Sequence, residues 1–260
     1  MLKINKLFFG LSIFVILSCN SEKSIYNNSV VSSPHPYASE AGKLIFSIGG
    51  NAFDAAVASA FTLAVVEPSM SGIGGRLQAI YMTSDGDISG VDAMTQIPKS
   101  YTKSEGEENE SYGYKTIGIP GVVAGLIKLH EDHGKLDLET VMKPAIYAAE
   151  NGFQILPGEI KRIEGEVEDF NDFEATQKYF LNSNGESFKP GDTLIQKDLA
   201  NTLKQISKNA NAGFYEGEVA QKIVQDIQAN GGYITLNDLK NYKAIESDII
   251  SGDFNGYKIH

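Results

Sequence analysis

Gly72-Ile73-Gly74-Gly75 is the first stretch whose residue types and spacing suggest chemistry. Bare backbone N–H groups at a glycine turn can line a site for an anion or a developing oxyanion. The order of elements excludes a dinucleotide cradle. Such a site needs a strand, then glycines, then a helix N-terminus that holds the phosphate. Here a helical segment precedes the turn and a strand-like one follows, and Leu77 breaks the GxGxxG spacing. The plainer expectation is that the glycines let a buried helix pack tightly against the next strand. His130-Glu131-Asp132-His133 has the look of a metal motif, but its histidines stand at i and i+3. Two zinc ligands on one helix converge at i and i+4. No metal is expected, and the pair reads as a solvated helix end, where a protonated histidine suits the negative dipole. The acids Glu164, Glu166, Glu168, Asp169, Asp172 and Glu174 read as solvated surface. No Ser or Cys stands in a GxSxG context, so residue types alone offer no nucleophile and base pair.

These residues need elements to position them. Residues 38–48 carry apolar side chains at helical spacing and stop at Gly49-Gly50. Asn51 is an expected N-cap with Asp54 three residues on. Residues 54–66 are apolar all round, the mark of a buried helix. Residues 77–83 and 88–92 flank Ser84-Asp85-Gly86-Asp87, a hairpin signal. Helices are expected from Pro120 to His133, over 138–151, 198–208 and 217–230, and as a short turn opened by a Thr235/Asp238 capping box. Residues 245–250 and 257–260 read as strands joined by 251–256. Residues 103–111 read as a charged loop. No linker splits residues 30–260 into two domains. The pattern is α/β (α+β).

Acidic residues outnumber basic ones, 33 to 22, for a formal net charge of −11. That balance excludes a nucleic-acid binder, which needs a positive face to displace counterions. The single cysteine rules out an internal disulfide and a Cys-rich zinc site. Two lysines, a short apolar run from Leu7 to Leu17 and Ser18-Cys19 have the layout of an export signal over residues 1–18. The run is too short to cross a bilayer as a helix, which takes about 20 residues. Ile16-Leu17-Ser18-Cys19 resembles a bacterial lipobox, so Cys19 is the expected lipidation site and residues 19–29 a polar tether. This predicts a cell-envelope lipoprotein, in the periplasm or on the outer membrane, bound to membrane only through its lipid.

The order of motifs resembles the N-terminal part of the gamma-glutamyltranspeptidase family. Residues 30–39 (VVSSPHPYAS) are similar to its opening segment, and residues 49–58 (GGNAFDAAVA) to its GGNAvDAAVA motif. Glu67-Pro68 with Ser71–Gly75 is similar to EPxxSGIGG. Residues 118–126 (GIPGVVAGL) and 144–153 (PAIYAAENGF) continue the series, as do Asp198-Leu199, Phe214–Gly217, Gly231-Gly232 and Asp238-Leu239.

The resemblance implies an N-terminal-nucleophile hydrolase with an αββα sandwich, incomplete in this chain. Residues 30–260 would be the N-terminal part of its large subunit. Such a precursor cuts itself, and the new N-terminal threonine of the small subunit attacks the γ-glutamyl amide of a substrate such as glutathione, its own α-amine serving as base. The acyl group then passes to water or an amino acid. No residue of this chain matches that threonine, which is expected beyond His260. The implied partners are a small γ-glutamyl substrate and the small subunit; no cofactor is implied. One departure bears on substrate. Where the family carries an arginine for the substrate carboxylate, in a dfREkaP segment, this chain has Met94, with Thr95 at the glutamate position, followed by Gln96. Arg76 replaces a glycine of the family's run and supplies a cation nearby. Arg76, Met94 and Gln96 are thus the candidate substrate-binding residues. The departure keeps open an amidohydrolase or acylase on another amide, and a non-catalytic truncated lipoprotein.

Overall fold

The computed structural model describes residues 29–102 and 112–260. The export signal, Cys19, most of the tether and the charged segment 103–111 lie outside the described residues. Residues Val31–His260 form one compact unit.

Two helices, α1 (Pro36–Ser47) and α2 (Ala52–Val66), lead into the hairpin of β1 (Leu77–Met82) and β2 (Ile88–Ala93). A helical pair follows, α3 (Val122–His133) and α4 (Leu138–Asn151). Next come β3 (Phe153–Gln154), α5 (Pro157–Gly165), α6 (Val167–Phe170), α7 (Glu174–Phe180) and β4 (Thr193–Leu194). The chain then runs through α8 (Lys197–Asn209), α9 (Ala212–Tyr215), α10 (Gly217–Ala229) and α11 (Leu236–Asn241). It closes on β5 (Ile245–Ser247), β6 (Gly252–Phe254) and β7 (Tyr257–Ile259).

Helix α2 is the centre of the core, with Val57, Ala58, Phe61 and Val65 fully buried. It packs against α1, α3 and α4. The Asn51/Asp54 capping box opens it as the sequence predicts. Asp54 does more. Its buried carboxylate also accepts from the Lys135 N–H at 3.0 Å and the Leu136 N–H at 3.3 Å, tying the start of α2 to the turn between α3 and α4.

The hairpin forms with Leu77 opposite Ala93 and Met82 opposite Ile88. Strand β5 adds to the other edge of β2, with Asp92 opposite Ile245. Helix α3 covers one face of this sheet, where Leu77 and Ala79 pack on the core. The side chains that alternate with them face away, and Ile80, Met82 and Ile245 are 53%, 66% and 59% exposed. A helical layer on one face of a sheet whose other face is open is half of an αββα sandwich.

Several boundaries differ from expectation. Helix α3 begins at Val122 rather than Pro120, because the Tyr215 hydroxyl takes both the Pro120 carbonyl and the Ala124 N–H, the pair that would close an earlier turn. The expected strand 245–250 ends at Ser247, and residues 252–254, read as a connection, form β6 paired with β7. Residues 157–180, unassigned from sequence, form α5, α6 and α7, and the acids Glu164, Glu166, Glu168, Asp169, Asp172 and Glu174 are exposed as expected.

Candidate functional site

Three backbone segments meet at the end of the hairpin. The Gly75 carbonyl accepts from the N–H groups of Gly121 and Val122, at 2.9 and 3.2 Å, so the glycine turn is bonded to the first turn of α3. Gln96 and Ile119 exchange both backbone bonds, at 2.8 and 3.2 Å, which joins the segment after β2 to the segment before α3. Tyr242 donates its hydroxyl to the Met94 carbonyl at 2.7 Å, and the Met94 N–H donates to Asp92 Oδ1 at 2.9 Å.

This arrangement brings the sequence-predicted residues together. The β1–β2 register ends at Leu77 opposite Ala93. One step further it sets Arg76 beside Met94, on the sheet face that carries Gln78 and Ile80. Arg76 is exposed, and no ion pair to it is seen among the described residues. Gln96 is exposed two residues beyond Met94. The fork of an arginine thus stands next to the position where the resemblance places one, carried by the opposite strand.

Tight packing at the glycines is not what the structure shows. A Cβ on Gly72 or Gly74 would meet open space, and one on Gly75 only the Gly72 carbonyl at 3.8 Å. Close approach occurs instead at Gly121, where a Cβ would fall on the Ala93 carbonyl and the Tyr242 hydroxyl, and at Gly125, where it would meet Leu77 and Ala93. The glycine turn therefore keeps its backbone bare without crowding the fold, as a ligand-facing turn does.

The turn is braced from α5, a contribution the sequence did not reveal. The buried Glu159 carboxylate accepts from the Ser69 N–H at 2.9 Å and the Ser69 hydroxyl at 2.7 Å. Arg162 pairs with Glu159 at 2.9 Å and with Glu67 at 3.0 Å. The residues just ahead of Gly72 are thereby fixed by charge-assisted bonds.

The histidines are not a solvated helix end. His130 Nε2 donates to the Leu136 carbonyl at 2.9 Å and lies 3.9 Å from Asp54 Oδ1. His133 stacks on Phe53 with centroids 4.4 Å apart and meets Tyr81 at 4.8 Å. Both rings serve packing around the start of α2, and their spacing was no guide to that.

Two phenols stand behind the meeting point. Tyr215 stacks on Tyr242 with centroids 5.6 Å apart and planes 8° from parallel. Its hydroxyl donates to the Pro120 carbonyl at 2.9 Å and accepts from the Ala124 N–H at 3.2 Å. Burial pushes both hydroxyls above their ordinary pKa of 10, so both are protonated donors at neutral pH. The same rings wall a cleft of about 370 Å³, where Lys128 pairs with Asp132 at 2.7 Å and Lys240 with Glu216 at 3.8 Å.

The helix-covered sheet and its glycine turn match gamma-glutamyltranspeptidase structures, which have the N-terminal-nucleophile hydrolase fold. The gamma-glutamyltranspeptidase family model matches residues 38–260, and the chain belongs to that family. It is 35% identical to a glutathione hydrolase proenzyme of Pseudomonas sp. over 241 residues, which are 90% of this chain and 42% of the relative. The chain thus spans under half the length of that curated relative. It superposes on the crystal structure of Helicobacter pylori gamma-glutamyltranspeptidase with a TM-score of 0.86 and 36% identity, covering 90% of this chain and 70% of that one. A cephalosporin acylase from Bacillus halodurans gives a TM-score of 0.81 at 29% identity, over 94% of this chain and 49% of that one.

Proposed function

We propose that the complete gene product is an autoprocessing amide hydrolase or acyl transferase that cleaves γ-glutamyl amides such as glutathione. This chain is the N-terminal part of its large subunit. The observation that carries the reading is the meeting of the glycine turn, Arg76 and the Met94–Gln96 segment at one end of the sheet, within a stretch that matches the family over residues 38–260. The open sheet face receives the rest of the protein, which carries the nucleophile threonine. The length of the relatives supports this, since 58% of the Pseudomonas proenzyme lies outside the matched part, from 100 − 42.

In this reading Arg76 holds the substrate carboxylate bidentately, with Gln96 as a neutral hydrogen-bonding neighbour and Met94 filling the space of the missing guanidinium. The glycine N–H groups face the scissile carbonyl and stabilise its oxyanion. The acyl group then passes to water or an amino acid. Cys19 carries lipid and holds the protein at the cell envelope. One chain binds only marginally, so the anchor relies on several acyl chains.

The test is release of a chromophore from a γ-glutamyl anilide by the complete gene product. Arg76→Ala should raise KM about tenfold or more, the value of a charge-assisted bond. No release, or an unchanged kcat/KM in the variant, would sink the assignment. Labelled palmitate should be incorporated and lost in Cys19→Ala. A second reading, an acylase on a different amide, is favoured by Met94 and by the likeness to the cephalosporin acylase. Cleavage of an N-acylated amine in preference to the γ-glutamyl anilide would select it.

A further inference from the structure

We infer that Tyr242 is a positioning residue, whose hydroxyl fixes the Met94–Gln96 segment against the glycine turn and so sets how tightly substrate is held. The inference rests on the reading of that segment as substrate-facing.

The sheet ladder ends at Ala93, so Met94 leaves it without a partner strand on that side. Thr95, Gln96 and Ile97 are exposed, and side-chain packing therefore does not locate them. What locates them is a small set of polar bonds. Asp92 takes the Met94 N–H, Tyr242 takes the Met94 carbonyl, and the Gln96–Ile119 pair closes the segment onto the approach to α3. Further along, the Asp238 carboxylate accepts from the Lys99 N–H at 3.3 Å and the Ser100 hydroxyl donates to the Tyr233 carbonyl at 2.5 Å. Residues 94–100 are thus bonded at both ends to the region around α11.

Tyr242 is buried, and it grips the segment at its first residue. The Tyr215 ring stacked on it fixes its plane, and Tyr215 in turn holds Pro120, next to the bridge residue Ile119. Gly121 leaves the opening through which the Tyr242 hydroxyl reaches Met94, since any Cβ there would occupy the same space. A hydroxyl held this rigidly transmits its position to the carbonyl it grips. With the bond gone, the exposed segment must be ordered when substrate arrives, and that ordering cost falls on binding.

The experiment is Tyr242→Phe in the complete gene product, which keeps the ring stack and deletes the hydroxyl. KM for the γ-glutamyl anilide should rise about fivefold with kcat within about twofold, and amide exchange at Gln96 and Ile119 should quicken about fivefold. Unchanged KM with parental exchange overturns the inference. So does a fall in kcat and unfolding midpoint at constant KM, the mark of a purely structural hydroxyl. If the parent protein cleaves no γ-glutamyl amide, the functional reading fails separately. Exchange then decides the point: quickening sustains the role of Tyr242, and parental exchange overturns it.

Discussion

At the residue scale the glycines divide into two kinds. Gly74 stands in open space with an ordinary backbone angle, so an added methyl has nothing to strike. Gly74→Ala should leave the unfolding midpoint unchanged or slightly raised, by up to about 1 kcal/mol through reduced chain entropy. Under the proposed function, where the glycine turn faces the scissile carbonyl, it should nonetheless weaken substrate turnover in the complete gene product. Normal activity with normal stability would show that no ligand approaches there. Gly121→Ala should behave oppositely. Its methyl collides with the Ala93 carbonyl and the Tyr242 hydroxyl, and overpacking of that kind costs about 1–3 kcal/mol. Urea unfolding of the two variants side by side checks the contrast. Sequence placed glycine at both positions but could not rank them, because the colliding atoms come from residues far away in the chain.

At the element scale α5 braces the glycine turn and α2 is bolted to the turn between α3 and α4. Glu159→Gln keeps the size of the side chain and removes its charge from Arg162. Arg162 is part-exposed and keeps Glu67 as a partner, so the loss comes from weaker bonds to Ser69 and Arg162, about 1–2 kcal/mol in stability, with faster exchange at Ser69. A change below about 0.5 kcal/mol would show that the brace is redundant. The capping boxes at Asn51/Asp54 and Thr235/Asp238 and the hairpin over residues 77–93 were legible in the sequence, because each depends on residues only a few positions apart. Helices α5 to α7 were not. Their faces are mixed and charged, and what holds α5 is a set of bonds to Ser69 and Glu67, about 90 residues upstream. The pairing of β5 with β2 was hidden for the same reason, and it reaches only as far as Ser247, where the expected strand ends early. The helix starting at Pro120 was a fair inference from local rules. It failed because the Tyr215 hydroxyl, from far along the chain, takes the Pro120 carbonyl and the Ala124 N–H.

At the scale of the whole molecule two buried groups, His35 and Asp238, contribute to the response to acid. His35 is buried at the N-cap of α1, where its Nδ1 accepts from the Tyr37 N–H at 3.2 Å. Burial holds its pKa below the ordinary 6.5, with Glu159 pulling the other way. The folded protein thus keeps His35 neutral while the unfolded chain protonates first. Stability from this group is complete above pH 6.5 and falls as pH drops from there toward the lower folded value. Burial alone would raise Asp238, but bonds from the Thr235 hydroxyl and N–H and the Lys99 N–H outweigh it and hold the carboxyl below 3.8. Its contribution is present above pH 3.8 and is lost as pH falls through the folded value. Urea titrations should therefore show two separate declines. His35→Asn should flatten the first, which begins as pH drops below 6.5, and leave the second in place. A parental slope in the variant would assign the first decline elsewhere.

The bonds from Gly75 to α3 and from Gln96 to Ile119 have a consequence for redesign. Residues 72–76, 94–96 and 118–121 share their hydrogen bonds across three separate stretches of chain. A loop borrowed from a relative carries the same backbone groups, but they meet their neighbours only where its backbone follows the same path. Exchanging specificity between members of this family is thus a matter of moving three pieces at once. A chimera carrying only one of them should lose the backbone partners that hold the other two in register.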